Sequence, residues 1–465
     1  MATLTKTPTR EAPKVPNLVR AHGFEPLEVV GKLPDGLAGT LYRCGPGLME
    51  RFGETLHHPF EADGMILGVR LDGEGKAEGG ARIITGPDYD EEEAAGRFLY
   101  SSSAPWLRRF VNGLRGKVKN TGNTRAWTWG ERVFALMEAS KPIEIDPRTL
   151  EAMGERDLDG VLVRAFSAHP HRIAAKNTSL NFGLRYGKET FLDLCELPDG
   201  GSARHVTSIK TGWMGMVHDF VVTENYAVFL NCPAQLTMGR ALLQIGDFSE
   251  WFKWAPEQGT EIIVVPLADP SAVRRFHTEA FWVWHFVNAF EKDGEIVIDM
   301  CRYPNLDSLA AIGGKTESAP PMLYRARLDP QSGRWASEQR WDVSCEFPRI
   351  APIFEAREHP HCWMQTGGQG EARGSARVEV ESGKVEHWQP DTLRPSEPVP
   401  APKLASESSS EGECWLLTLC HDYERDRGCL AVLDGSAVEA GPVATVYFDQ
   451  ALPQTFHGHW SDVAV

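Results

Sequence analysis

No two cysteines in this chain are spaced C-x-x-C. The nine present (Cys44, Cys195, Cys232, Cys301, Cys345, Cys362, Cys414, Cys420 and Cys429) are odd in number and widely scattered. That argues against a zinc–thiolate site and a disulfide scaffold, and it favours a reducing, cytoplasmic setting. No run of 18 apolar residues occurs, so no helix is expected to span a membrane. The opening stretch, MATLTKTPTREAPKVPNLVRAHG, has no apolar signal core. Residues 1–25 read as a mobile polar arm, and residues 26–465 as a single domain. Positive charge is also short, with 48 Lys and Arg against 64 Asp and Glu and a net charge of −16. A general nucleic-acid binder is not expected from such a balance. Helical periodicity is scarce, and no crisp short repeat is visible.

What is present suits a large β architecture. Hydrophobic content of 42% allows a sizeable core, and 44 Gly with 31 Pro supply many turns. Strand signals recur at Arg132 to Leu136, Thr190 to Leu194, Glu261 to Val265, Phe281 to His285, Glu295 to Asp299 and Leu416 to Leu419. The stretch from Met214 to Pro233 reads as strand, turn and strand, with Thr223-Glu224-Asn225 as the turn. Two stretches break the β rhythm. Pro105 to Lys119 places Trp106, Phe110, Val111, Leu114 and Val118 at helical spacing beside Arg108, Arg109, Arg115, Lys117 and Lys119. A basic amphipathic helix in an acidic chain suggests contact with a membrane surface, or else a cap on a β core with its basic side in water. Ala234 to Trp254 is the other helical pattern. Acidic Asp88 to Glu93 reads as a solvated face, and Pro395 to Glu413 as a long loop. Many strands and few helices predict one large sheet assembly, for which a propeller has room.

Four of the 15 histidines sit among apolar or aromatic neighbours at strand edges: His169, His218, His285 and His457. Their gaps of 49, 67 and 172 residues are too long for a zinc finger or an H-E-x-x-H helix. Such imidazoles converge only if the fold brings distant strands to one axis, as the inner strands of a propeller do. Spacing leaves the metal open among Fe, Zn, Cu and Ni. It also leaves decoys: His171, His459, the pair His57-His58, and His359-Pro360-His361, which mimics His169-Pro170-His171.

From about Leu33 onward the chain resembles the carotenoid cleavage oxygenases. The resemblance rests on RCGPG at Arg43, HPFEADGMI at His58, KNTGNTRAWTWGERVFALMEASKPIEIDP at Lys119, FSAHPH at Phe166 and MVHDFVVTENYAVF at Met216. It continues through WAPEQGTEIIVVP at Trp254, FWVWHFVNAFEKDG at Phe281, CEFPRI at Cys345, SEPVPAPK at Ser396 and TFHGHW at Thr455. It implies an all-β, seven-bladed propeller with a helical and loop cap, and one Fe(II) per chain on the axis. The implied iron ligands are His169, His218, His285 and His457. Glu138, Glu346 and Glu397 are then expected to orient His218, His285 and His457, with no carboxylate behind His169. Thr124 matches a family threonine whose methyl crowds an open iron position. A ligating imidazole needs its second N–H held, which fits three such carboxylates.

The reaction implied is cleavage of a conjugated C=C bond by O2 to give two carbonyl products. Relatives that act on hydroxylated stilbenes use a lysine just before the Glu138 position, where this chain has Met137. No counterpart of their partner tyrosine is found in Ala81 to Gly86. A lost polar clamp disfavours phenols, so a carotenoid or apocarotenoid is the expected substrate and a stilbene the runner-up. Polyene isomerisation is a more distant option. From other classes, a propeller zinc hydrolase would need a nearby base, and a docking propeller would need no metal.

Overall fold

Alternation of apolar residues with turn-forming Gly, Asn and Asp divides the chain into short antiparallel strands. The computed structural model describes residues 15–368, 371–404 and 412–463. Within them, seven antiparallel sheets of four or five strands, with few helices, form a seven-bladed β-propeller. The innermost strands, in chain order, are Arg125–Trp129, His171–Ile173, Val221–Val222, Trp282–Lys292, Cys345–Arg349, Leu393–Pro402 and Gly458–Ser461. Residues from all seven line an axial cavity of about 490 Å³.

The ring is closed by side chains as well as by backbone. Each of seven apolar clusters joins two neighbouring sheets, so every blade packs on the next. Both ends of the chain act as latches. The late strand Gly458–Ser461 pairs with Ala38–Leu48, and the early strand Glu28–Gly31 pairs with Pro442–Tyr447. The polar arm expected over residues 1–25 does not hold at its end. His22–Pro26 is the outermost strand of the first sheet, paired with Ala77–Ile83. Residues 1–14 lie outside the described residues.

Three other expectations need correction. Ala234 to Trp254 is not one helix. It is a strand pair, Ala234–Leu236 with Phe252–Trp254, around a short helix, Met238–Leu243. Gly246, at φ +73°, and the Asp247 side chain, which accepts from Ser249 N–H, break the helical run. Pro395 to Pro402, expected within the loop Pro395 to Glu413, belongs instead to the inner strand Leu393–Pro402. It lies on the edge of its sheet, where a missing N–H costs no ladder bond. Of the rest of that expected loop, residues 405–411 lie outside the described residues. Asp88 to Glu93 forms most of helix α1 (Pro87–Ala95), and Glu92 is fully buried. Its carboxylate accepts from Arg51 (3.0 Å), Lys119 (2.7 Å) and the Leu99 N–H (2.8 Å). A carboxylate is buried only when its lone pairs are filled in this way.

Helix α2 (Trp106–Leu114) forms within Pro105 to Lys119 but stops early, because Gly116 takes a left-handed φ of +60°. It packs on helix α3 (Met238–Leu243), with Trp106 Nε1 donating to the Leu243 carbonyl at 3.0 Å.

Candidate metal centre and active site

Each of the four histidines stands where its chain enters or bends along an inner strand. His169 precedes Pro170, which favours extended backbone there, and its N–H donates to Ser167 Oγ. His218 lies three residues before its strand, Val221–Val222, rather than within it. The reason is Asp219, whose carboxylate accepts from the Phe220 N–H (2.8 Å) and the Phe286 N–H (3.0 Å) in place of ladder bonds. His285 sits where the register of Trp282–Lys292 shifts, and such bulges re-aim side chains. His457 precedes Gly458–Ser461 and is gripped through its backbone. Its N–H donates to the Thr124 carbonyl (3.1 Å), and its carbonyl accepts from the Cys44 N–H (3.0 Å).

The four buried rings offer one nitrogen each to a common point, all four atoms within 4.8 Å of one another. His169 Nε2 and His218 Nε2 are 3.0 Å apart, and His218 Nε2 and His285 Nε2 are 3.3 Å apart. Carboxylates stand behind three of the rings. His285 Nδ1 donates to Glu346 at 2.5 Å, and His457 Nδ1 donates to Glu397 at 2.9 Å. Glu138 Oε1 lies 2.5 Å from His218 Nδ1 but off the line of a good hydrogen bond. Among the described residues no carboxylate is bonded to His169.

This donor set fits a metal. With the proton on Nδ1, each Nε2 presents a bare lone pair, and lone pairs aimed together at about 3 Å repel unless a cation lies between them. Adjacent ligands at a metal–nitrogen distance of about 2.1 Å would also be about 3 Å apart. The surroundings keep the rings ready to ligate. Burial, then the neighbouring imidazoles, holds His169 well below the usual histidine range. Burial does the same for His457, against the pull of Glu397. Burial also opposes protonation of His285, but the charge and hydrogen bond of Glu346 carry it upward.

Several residues around this centre were not singled out in the sequence. Fully buried Arg43 donates to Glu397 Oε2 (2.8 Å), and Arg349 donates to Glu397 Oε1 (2.9 Å) and to the Gly458 carbonyl (2.7 Å). Burial alone would raise the Glu397 carboxyl, but Arg349, His457 and Arg43 hold it well below its usual range. Tyr303 OH donates to Glu346 Oε1 at 3.2 Å. The signals were there: Arg43 opens RCGPG, Arg349 lies within CEFPRI, and Asp219 follows His218 directly. Thr124 is half-buried beside the centre, its hydroxyl donating to Asn123 Oδ1 at 3.2 Å. The decoys go elsewhere. His171 bonds Asp219 (2.7 Å), His58 bonds the Leu309 carbonyl (3.1 Å), and His359 faces Asp299 (3.2 Å).

Aromatic rings continue from the centre toward α3. Trp284 meets His218 edge-on at 4.7 Å, Phe60 lies 6.2 Å from Trp284, and Phe248 lies 6.4 Å from Phe60 and 5.4 Å from Phe252. Met137 Sδ, at the position of the lysine expected for phenol binding, accepts from the Thr121 N–H at 3.3 Å.

A closed propeller with four convergent imidazoles on its axis, three of them backed by glutamates, defines a class of propellers whose axial histidines can hold a metal. The chain belongs to the RPE65 family (retinal pigment epithelial membrane protein), that of the carotenoid cleavage oxygenases, which it matches over residues 18–462. It is 29% identical to an apocarotenoid-15,15'-oxygenase of Synechocystis sp., over 98% of each chain. It is 27% identical to an isoeugenol monooxygenase of Pseudomonas putida, over 96% of each. The crystal structure of cobalt-substituted Synechocystis ACO superposes with a TM-score of 0.86 at 27% identity, covering 96% of this chain and 97% of that one.

Proposed function

We propose that this protein is a non-haem Fe(II) dioxygenase that cleaves a conjugated C=C bond of a carotenoid or apocarotenoid. One alkene and one O2 give two carbonyl products, so all atoms balance without a hydrolytic water. The observation that carries the reading is the convergence of four buried Nε2 atoms, with Glu138, Glu346 and Glu397 behind three of the rings. His169, His218, His285 and His457 would hold the iron, which when bound would supply the redox chemistry by which O2 reacts with an alkene.

The remaining work belongs to the chain. Glu346 and Glu397 fix the tautomer and orientation of their imidazoles and offset the cation's charge, and Glu138 adds charge behind His218. Thr124, joined to His457 through its carbonyl, narrows the space at the centre. Phe60, Trp284 and Phe248 offer an apolar surface on which a polyene can lie and from which water is kept out. No proton need be moved, so the commitment of Glu346 and Glu397 to histidines is no obstacle.

Met137 supports a polyene over a phenol, since a thioether bonded to Thr121 offers a phenolate no cation. A relative named as a resveratrol cleavage oxygenase, of Chaetomium globosum, keeps stilbene cleavage as the second reading. Iron-loaded protein given carotenoids, apocarotenals and hydroxylated stilbenes is expected to release aldehydes from the first two, identified by mass. Products from stilbenes alone would overturn the substrate choice.

The substrate's solubility bears on location. We propose a cytoplasmic protein, as all nine cysteines are free thiols, that touches a membrane through α2 and α3. Trp106 (56% exposed), Leu107 (66%), Leu114 (63%) and Leu243 (46%) leave apolar surface bare there. The basic residues nearby are largely spoken for. Arg108 pairs with Glu91 (2.5 Å), Lys117 with Asp88 (3.1 Å) and Lys119 with Glu92 (2.7 Å). Contact is therefore apolar insertion rather than attraction to anionic lipid. In sedimentation assays the protein should bind zwitterionic phosphatidylcholine vesicles with little dependence on salt. The Trp106→Ser, Leu243→Ser double variant should bind about tenfold or more weakly, given roughly 1.5–3 kcal/mol per large apolar side chain buried. Binding only to anionic vesicles, and lost in salt, would contradict this.

A further inference from the structure

A second, smaller cavity of about 80 Å³ lies beside the strand Leu393–Pro402. Arg394, Pro395 and Ser396 line it, whereas Glu397, Val399, Pro400 and Pro402 line the axial cavity. The two spaces thus lie along different parts of one strand. The smaller one is built of two cations and neutral polar groups: Arg373 and Arg394 with His421, Ser396, Gln454 and Thr455. Among the described residues no carboxylate lines it.

Its basic groups are short of partners. His421 is more than nine-tenths buried and its Nδ1 has no hydrogen-bond partner; its Nε2 faces Asp426 at 3.4 Å. Arg373 Nε is buried and unpartnered as well. Neither the Arg373 nor the Arg394 side chain bonds any described residue, although their charges oppose one another. Burial, then the charge of Arg394, brings Arg373 down to about 9. Two guanidiniums lining one small space that no described carboxylate lines are costly unless an anion fills it. Guanidinium forks match the oxygens of a phosphate.

We propose that this cavity is an oxyanion site that takes a single phosphate group, held by Arg373, Arg394 and His421. Its volume admits one such group. Ser396 and Thr455 in its wall also accept from Arg43 (3.2 and 2.9 Å), which in turn donates to Glu397. An occupant would therefore sit against the side chains that position His457.

The test is equilibrium dialysis of full-length, iron-loaded protein against labelled inorganic phosphate, with ionic strength held constant by chloride. Saturable binding near one per chain is expected, weakened about tenfold or more in Arg394→Gln and in Arg373→Gln, as loss of a charge-assisted bond requires. A thermal melt should rise with phosphate in the parent protein and not in either variant. Competition by glycerol phosphate as strong as by inorganic phosphate would assign the site to a phosphate ester, and its failure to compete would assign it to the free ion. No saturable uptake, or equal uptake by parent and variants, would overturn the proposal.

Discussion

His285→Ala is expected to lose its iron and its cleavage activity together. One of four neutral donors disappears, and Glu346 loses the imidazole it orients. Metal-assisted steps draw several kcal/mol from the ion, so turnover should fall by about a thousandfold or more. The control is His361→Ala, from the second His-Pro-His. That ring packs on Trp363 at 4.7 Å and is not among the four convergent donors, so its loss should leave iron content and turnover near the parent values. Metal analysis and aldehyde yield on the same samples decide the matter. Full activity in His285→Ala, or equal loss in both variants, would remove the basis for the four-histidine assignment.

Arg43→Ala should be the costliest single change outside the four ligands. The guanidinium is fully buried and donates to Glu397, Thr455, Ser396 and the Phe456 carbonyl. Its removal leaves the buried Glu397 carboxylate with Arg349 as its remaining guanidinium partner, and breaking a buried pair from one side costs about 3–5 kcal/mol. The comparison is Arg172→Ala, which breaks the half-exposed pair with Asp199 (2.5 Å) and should cost no more than about 1 kcal/mol. Urea midpoints of the two variants check this. Arg43→Ala should also hold iron less tightly, because Glu397 orients His457. Similar midpoints for both variants would show that Glu397 does not depend on Arg43.

The blades were legible wherever one local pattern governed one element. Arg132 to Leu136 is a strand with the expected bounds because its residues are β-prone and its turns lie just outside. The Thr223 turn formed as read, with Thr223 Oγ1 accepting from the Asn225 and Tyr226 N–H groups. Misreadings came where tertiary context overrode a local signal. Leu236, Met238, Leu242 and Leu243 carry helical spacing, yet a strand pair encloses the short helix. The prolines of Leu393–Pro402 spoke for a loop because nothing local reveals that a strand will be the inner edge of a blade. Glu92 looked solvated because Arg51 and Lys119, its partners, are 41 and 27 residues away.

The metal centre divides in the same way. Strand-edge context singled out the four histidines, but composition and spacing could not separate them from His171 or His361. Resemblance to a family, not periodicity, chose among them, and the fold then brought those four together. Arg43 and Arg349 remained invisible because a charged side chain in a turn-rich motif reads as surface. Their burial follows only from the closure of the ring around Glu397.

The most direct test of the whole account is O2 uptake by iron-loaded protein given an apocarotenal, followed on an oxygen electrode while the products are identified by mass. One O2 consumed for each alkene cleaved, with two carbonyl fragments whose carbons sum to the substrate, is the result expected. Cleavage without O2 uptake, or O2 uptake only with a stilbene, would contradict it.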